Sequence, residues 1–519
     1  MSAGHFEDPM SPADVSQQAV MDFLSLPSTH GGAAVKRIDT HAASVFLAGE
    51  RALKIKRAVR FPFLDFSTLE KRKAACAAEL EVNRPFAPDI YRRVVPITRE
   101  ANGLAIGGGG APVEWAVEMR RFDETQTLDH LAERGEIDGR LADALGRAVA
   151  KAHADAPAVE GFVDALEEVI AQNDAELRAS PALFPTAQVI VLSAATRAAF
   201  KKARTLLAAR ERGGFVRRCH GDLHLGNIVM LDGQPTLFDA IEFDPKIATG
   251  DVLYDLAFLL MDLIERKLVG AANILFNRYL TETRRDDNLD ALAALPLFLS
   301  VRAAIRAKVT AARAKGRELH SDDCAAAEQN AQDYFVLAQR LISPPQPQLI
   351  AVGGLSGTGK SLVARSLAAE LRPAPGAVVI RSDVERKALF GVKETATLPK
   401  EAYARDVTAK VYDVLAVRAR RVITAGHSAI VDAVYADPDE RSAITQAAGT
   451  APFHGLFLTA DLATRVARVG DRTDDASDAD AAVARSQEQY DLGALDWATV
   501  DASGTPDETF RRARAAMKP

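Results

Sequence analysis

The chain has 519 residues, 48% hydrophobic and 26% charged, with a net charge of −6. Single hydrophobic cores rarely grow past about 250–300 residues, so two or three domains are expected, and the ordinary balance of apolar and charged residues excludes a disordered, collagen-like or low-complexity chain. Charges of both signs are interleaved, leaving no broad basic surface for a nucleic-acid backbone, and three cysteines without a C-x-x-C pair make neither a disulfide framework nor a structural zinc site.

The first residues, Met1 to Gln18, are acidic and polar where a signal peptide needs a basic start and an apolar stretch. No run reaches the roughly 18 uninterrupted apolar residues of a spanning helix. A cytoplasmic protein is expected, with no membrane partner and no stable nucleic-acid binding. Ala43 to Phe46 and Ala52 to Val59 read as strands around the turn Gly49-Glu50, which puts Lys54 and Lys56 on one face by the two-residue period. Phe66 to Asn83 reads as a helix, capped by Ser67 or Thr68 and stopped by Pro85. Strands near Ile90–Thr98 and Val113–Met119 follow. The glycines Gly107 to Gly110 between them sit far from any helix start and read as a hairpin turn.

Alanine-rich segments with helical spacing fill most of Leu141 to Ala209 and Asp251 to Arg340, around a strand-and-loop island from Phe215 to Phe243. Arg302 and Arg306, one helical turn apart, read as a solvated face. Three prolines in Ser343-Pro-Pro-Gln-Pro-Gln348 exclude helix and favour a stiff linker. Beyond it, Gln348–Val352, Ala377–Ile380, Ala429–Val431 and Gly455–Leu458 are short apolar strands between helical stretches, which predicts a parallel sheet covered by helices. The expected division is residues 1–342, with a small lobe over 30–120 and a helical lobe over 121–342, then a linker at 343–348 and a second domain over 349–519.

His220-Gly-Asp222-Leu-His224-Leu-Gly-Asn227 is followed by Asp239-Ala-Ile-Glu242 and by Gly250-Asp251-Val252-Leu253-Tyr254-Asp255. Phosphoryl transfer from ATP needs a carboxylate to orient and deprotonate the attacking hydroxyl, and oxygen ligands for the magnesium that neutralises phosphate charge. Asp222, Asn227 and Asp239 supply that set, in the order of a kinase catalytic loop and its metal-binding aspartate. His220 and His224, without a third ligand at metal spacing, brace the loop.

This stretch resembles the aminoglycoside phosphotransferase and choline kinase group, whose signature is HGDxHxxN followed by D-x-x-E. The resemblance implies that Asp222 is the catalytic base, that Asn227 and Asp239 bind magnesium, and that Lys54 pairs ATP phosphates with help from Glu79, with Lys56 as the alternative lysine. The chain departs from the family in carrying Val252 where proline is usual, and in lacking a G-x-G-x-x-G loop upstream of Phe46, where the short polar turn Thr40–Ser44 stands instead.

In the second domain an apolar strand leads into Gly354-Leu355-Ser356-Gly357-Thr358-Gly359-Lys360-Ser361-Leu362, which fits G-x-x-x-x-G-K-[ST]. The glycines let backbone N–H groups converge on phosphates at a helix N-terminus, Lys360 reaches the outer phosphates and the Ser361 hydroxyl ligates magnesium. Asp383 lies just past the second strand, where the crevice of an open parallel sheet forms, and Arg386 one turn on could hold an anionic part of the acceptor. Asp432 ends another apolar strand in the position of a metal partner. Arg465, Arg468 and Arg472, with the acidic stretch Asp474 to Asp478, read as a lid that closes arginines on the transferring phosphate.

This part resembles small P-loop kinases of the gluconate kinase, zeta-toxin and polynucleotide kinase type, a resemblance that implies Asp383 activates the acceptor hydroxyl. Nearly the whole chain is similar to bacterial bifunctional aminoglycoside phosphotransferase/ATP-binding proteins. The expected fold is multidomain, α+β and α/β: a two-lobed protein-kinase-like domain followed by a P-loop NTPase domain with a parallel sheet. The expected activity uses ATP and magnesium at two sites, each phosphorylating a hydroxyl of a small molecule. The alternatives are an ATP-controlled switch or binding protein and a kinase that modifies macromolecules. The acceptors and the oligomeric state are not legible.

Overall fold

The computed structural model describes residues 12–61, 64–314, 321–470 and 476–517. The chain divides into two compact units, one of Met1–Ile137, Asp155–Ala165 and Gly214–Asp255, the other of Asp138–Ala154, Leu166–Gly213 and Leu256–Pro519. The segment 343–348 has no regular structure and joins the helix Ser321–Ile342 to the strand Leu349–Gly354. The compact units do not part there. Helices from 256 onward pack in the same unit as the second sheet, because prolines end a helix without preventing the elements on either side from packing together.

In the first unit a six-stranded antiparallel sheet runs in the order 35–39, 43–48, 51–56, 111–120, 91–100, 103–106. Alternation along Arg51–Lys56 gives its faces different tasks. Leu53 and Ile55 join Phe46, Val95 and Ala116 in a core with Val20 and Leu24 of the helix Pro12–Ser25. Ala52 lies on the opposite face with Val117, Met119 and Cys76, and the two-residue period puts Lys54 and Lys56 there too, under the helix Leu69–Asn83. Thr68 caps that helix, accepting from the Lys71 N–H. Its buried stripe is Arg72, Cys76, Glu79 and Asn83, the spacing of one helical face.

Gly107–Gly110 is not a hairpin turn. The strand Gly103–Ile106 and the strand Ala111–Arg120 pair on opposite sides of Tyr91–Glu100, so the four glycines carry the chain across that strand to its other side. A Cβ at Gly110 would stand 2.1 Å from the Arg99 carbonyl oxygen, which only glycine avoids.

The second unit holds a five-stranded parallel sheet in the order 378–381, 429–432, 349–354, 453–459, 498–501. All six residues of the central strand Leu349–Gly354 are buried, as expected for a sheet covered on both faces. The helices Lys360–Glu370 and Pro506–Ala516 contribute Val363, Leu367 and Ala513 to the core on one face. Arg302 does not sit on a solvated face: it is 4% exposed, with its guanidinium over the Phe258 ring at 4.8 Å. Asp286–Ala314 is apolar and long enough to cross a membrane, and 78% of its apolar window is buried inside the protein.

Candidate functional site

The first site is built where the sheet's Lys54 face meets the segment 220–242 of the same unit. Lys54 Nζ lies 2.8 Å from Glu79 Oε1 and 2.7 Å from Asp239 Oδ1. Lys56 Nζ lies 2.6 Å from Glu79 Oε2 and 2.5 Å from Glu242 Oε1. Glu79 is fully buried and is therefore no surface charge. Both lysines named at the outset take part: each carboxylate oxygen of Glu79 holds one. Burial would lower the Lys54 pKa, but the carboxylates of Asp239 and Glu79 outweigh it and hold that pKa well above the ordinary lysine value. Burial alone would raise Glu79, and the two ammonium groups instead hold it below its usual range.

Asp239 has φ of 60°, a left-handed conformation uncommon outside glycine though aspartate adopts it more readily than most residues. Two contacts hold it there. Its N–H donates to Tyr91 Oη at 3.1 Å, and the next N–H, of Ala240, donates to Asn83 Oδ1 at 2.6 Å. Tyr91 and Asn83 carry no motif, and only their place on the elements that frame Glu79 could have pointed to them.

The loop itself is tightly braced. His220 is buried, its Nε2 donates to the Phe238 carbonyl at 2.9 Å, and burial lowers its pKa so that it stays neutral. Gly221 has φ of 83°, and its N–H donates to Asp255 Oδ1 at 2.9 Å. Asn227 Nδ2 donates to the Asp222 carbonyl at 2.9 Å and to Asp222 Oδ2 at 3.1 Å, so the two motif residues touch. His224 accepts from the Gly226 N–H and stands 3.4 Å from Asp222 Oδ2. Asp222, Asn227, Asp239 and Lys54 are thereby assembled, and both histidines brace them.

The second site lies at the C-terminal ends of the parallel strands. Gly354 and Gly357 have positive φ, and a Cβ would stand 2.5 Å from the Leu458 carbonyl oxygen and 2.4 Å from that of Arg465. Gly359, also at positive φ, starts the helix Lys360–Glu370. Thr358 Oγ1 and Lys360 Nζ donate to the Leu355 carbonyl at 2.8 and 3.2 Å. The Ser356 N–H donates to Gln487 Oε1 at 2.6 Å. The Leu362 N–H donates back to Gly359 within the helix, and its side chain is exposed. Ser361 Oγ donates to Asp432 Oδ2 at 2.5 Å and accepts from Arg381 Nη2 at 3.1 Å. Asp383 opens the helix Ser382–Leu389 after the edge strand. Burial raises its pKa against the opposing charge of Arg381, and Asp432 raises it further.

The expected arginines behave differently. Arg386 does not present itself to an acceptor: it is buried, Nη1 donates to the Ala402 carbonyl at 2.7 Å, and its guanidinium lies 4.8 Å from the Tyr403 ring centre. Arg468 is not a lid residue, since its Nη1 and Nη2 donate to the Ala502 and Gly504 carbonyls at 2.7 Å each, anchoring the chain after the last strand. Arg465 is buried against Gly357 of the phosphate loop and paired with Glu488, with Nε and Nη1 lacking hydrogen bonds. Arg472, Asp474 and Asp475 lie outside the described residues. Asp478 is clamped by Lys387 Nζ at 2.9 Å, the Leu398 N–H at 3.0 Å and Tyr403 Oη at 2.6 Å. Gln487, Arg381 and Lys387 were missed because their partners are distant in sequence.

Residues 114–295 match the family described as Phosphotransferase enzyme family, and residues 349–491 match the AAA domain. The chain is 32% identical over 476 residues to the uncharacterized protein Rv2004c of Mycobacterium tuberculosis, covering 88% of this chain and 90% of that one, and equally to the uncharacterized protein Mb2027c of Mycobacterium bovis. Among solved structures it is similar to a choline/ethanolamine kinase family protein from Mesorhizobium loti (14% identity, 63% of this chain, 99% of that one, TM-score 0.37) and to a gluconokinase from Sinorhizobium meliloti 1021 (21%, 33%, 91%, TM-score 0.25). A kinase-like phosphotransferase region followed by a P-loop kinase-like region implies ATP use. With nine-tenths of the relatives' length spanned at this identity, the chain, itself carrying the phosphotransferase match first and the P-loop match second, belongs to the family of these mycobacterial proteins.

Proposed function

We propose that the chain is an ATP- and magnesium-dependent phosphotransferase with two kinase-type sites, each passing the γ-phosphate to a hydroxyl of a small molecule. The observation that carries this is the meeting of Lys54 with Asp239 at 2.7 Å, 185 residues apart, beside the Asp222–Asn227 pair. A solvated loop has no reason to hold a lysine only 15% exposed against that aspartate.

The donors fit a hard divalent cation. Asp239 and Asn227 in the first site, and Ser361 with Asp432 in the second, present oxygen ligands and no thiolate or imidazole. Bound magnesium-ATP supplies the phosphoryl group and the counter-charge. Asp222 orients the acceptor hydroxyl and takes its proton, while Lys54, fixed by Glu79, meets phosphate oxygens. In the second site the phosphate-loop amides and Lys360 hold the nucleotide, and Asp383 takes the hydroxyl proton. Each base contributes on the order of 10²–10⁴-fold. In this reading residues 343–348 link the two catalytic domains, the acceptors are free metabolites, and three cysteines with no disulfide among them suit the cytoplasm.

Labelled γ-phosphate tests the proposal on an acceptor panel. Asp222→Ala and Lys360→Ala should each remove one activity and leave the other. Undiminished labelling by the double variant would sink it, and label on macromolecules would change the acceptor class.

A further inference from the structure

The second unit contains a cavity of about 550 Å³ that the phosphate-transfer reading does not use. It lies between the helix Val269–Thr283, the helix Lys360–Glu370 and the edge strand Val378–Arg381, all in that unit. We propose that it binds a small organic anion with an apolar body, and that Arg381 couples its occupancy to nucleotide binding at the phosphate loop.

Its size is that of a ligand site, about 300–1,000 Å³. Ile274, Val379 and Val384 give it an apolar floor, and five lining arginines face three carboxylates, Asp143, Glu385 and Glu394. Two of these arginines also pair beyond the lining, Arg418 with Asp286 at 2.6 Å and Arg381 with Asp432 at 3.4 Å, while Arg418 Nε, shielded from solvent, carries no hydrogen bond and is a donor that favours an anion. The carboxylates are already engaged: Arg278 pairs with Asp143 at 2.5 Å and with Glu394 at 2.7 Å, and Arg284 pairs with Glu385 at 3.0 Å.

The walls are preformed. An edge strand ordinarily leaves backbone groups unpaired. Here Asn277 Oδ1 accepts from the Val379 N–H at 2.7 Å, and the amides of Asn273 and Asn277 each donate to the Ala377 carbonyl at 3.0 Å. Gly376 permits the approach, since a Cβ there would stand 2.6 Å from Asn273 Nδ2. A rigid site loses less on binding than one that must be ordered.

Arg381 belongs to both places. It lines the cavity, while Nη2 donates to Ser361 Oγ at 3.1 Å and Nε stands 3.4 Å from Asp432. Lys360, Asp383 and Asp432 do not line it, so the cavity is separate from the transfer crevice. An anion in the cavity draws the guanidinium away from Ser361 and Asp432 and releases them for a divalent cation. Anion and magnesium-nucleotide then favour each other, and by linkage the effect is reciprocal. This coupling rests on Ser361 and Asp432 holding the nucleotide's metal; binding in the cavity does not.

8-Anilinonaphthalene-1-sulfonate, a fluorescent anion with an apolar body, is the probe, titrated into the full chain with and without magnesium-ADP. The expected result is one saturable site per chain, tightened about fivefold or more by magnesium-ADP. Ile274→Trp, which fills the floor, should weaken the probe at least tenfold while ADP affinity stays unchanged. Arg365→Glu, an exposed change that spares the core, should weaken it severalfold, and Arg381→Met should abolish the coupling. Displacement of the probe by ADP, or a site indifferent to both Ile274→Trp and Arg365→Glu, would overturn the proposal. Probe binding in a chain that does not bind ADP would overturn the phosphate-loop reading and the coupling, and leave the cavity standing.

Discussion

Ser361 Oγ donates to Asp432 Oδ2 at 2.5 Å, joining the last residue of the phosphate loop to the end of a strand 71 residues further on. With Arg381 donating to the same hydroxyl, the residues that would hold a cation satisfy one another. A divalent ion entering there has to replace these bonds with its own, and Asp432 supplies the charge that makes the exchange favourable. Asp432→Asn should raise the magnesium concentration needed for half-maximal binding of a fluorescent ATP analogue by about 10–100-fold. Unaltered magnesium dependence would remove Asp432 from the metal site.

Glu79 bridges Lys54 and Lys56, and none of its surface is exposed. Removing its charge takes one of two carboxylate partners from each lysine, leaving Lys54 with Asp239 and Lys56 with Glu242. A buried charge left without any partner costs about 3–5 kcal/mol; each lysine keeps one here, so Glu79→Gln should lower the stability of the first unit by less than that in urea denaturation. Adding Lys56→Met then takes from Glu242 the lysine it pairs with at 2.5 Å and should lower stability further. A double variant no less stable than Glu79→Gln would remove the Lys56–Glu242 pair from this account.

The parts of both sites that were legible are local in sequence. Asp222 and Asn227 sit on one loop, and Gly354 to Ser361 on one turn, so spacing alone brings them together. Arg386 and Arg468 show where this stops. Helical spacing says which residues share a face but not what the face packs against, and both guanidiniums turned out to bond to backbone carbonyls. Gln487 was invisible because its partner is 131 residues away. The strand Ala498–Asp501 was missed because three of its four residues are exposed, leaving no apolar run. Val35–Asp39 was missed for the same reason, with no residue of its five fully buried.

Asp383 is held against its preference. Burial raises its pKa, so the charged carboxylate is a cost to the fold whenever pH exceeds that raised value. For a carboxyl with a raised folded-state pKa, the stabilising contribution is present below the unfolded value near 3.8 and is lost as pH rises through the folded one. Asp383→Asn should therefore raise Tm at pH 8, and by less near pH 4, while abolishing transfer at the phosphate-loop site. A variant less stable at pH 8 would contradict this account of a catalytic residue kept at the expense of stability.

His427 gives the second unit an acid-sensitive point. It is 1% exposed, Nε2 donates to the Gly376 carbonyl at 2.8 Å, its ring meets Phe276 edge-on, and burial lowers its pKa to about 4. The unfolded chain binds this proton near pH 6.5 and the folded one only near 4, so stability is complete above the unfolded value and falls as pH drops between the two. The full loss is about 3 kcal/mol. Between pH 7 and 4.5 the wild type should lose about 2–3 kcal/mol more than His427→Gln, which retains a donor without titrating. Parallel pH profiles of urea stability for the two proteins would refute this.

Gln487 occupies an amide of the phosphate loop, and what replaces it decides the loop's resting state. Its Oε1 accepts from the Ser356 N–H at 2.6 Å, and both residues are buried. Phosphate-binding loops work by turning such N–H groups on the phosphates. If a nucleotide takes this bond over, Gln487 stabilises only the empty loop, and Gln487→Ala leaves the empty loop with an unsatisfied buried donor costing about 1–3 kcal/mol. The variant should then bind ADP about fivefold or more tightly, since each 1.4 kcal/mol is tenfold. Gln487→Glu, which keeps an acceptor and adds a negative charge near the phosphates, should bind ADP more weakly than the wild type. Weaker ADP binding by Gln487→Ala would show instead that the glutamine holds the loop in its nucleotide-binding form, and would make it a positioning residue for the bound state.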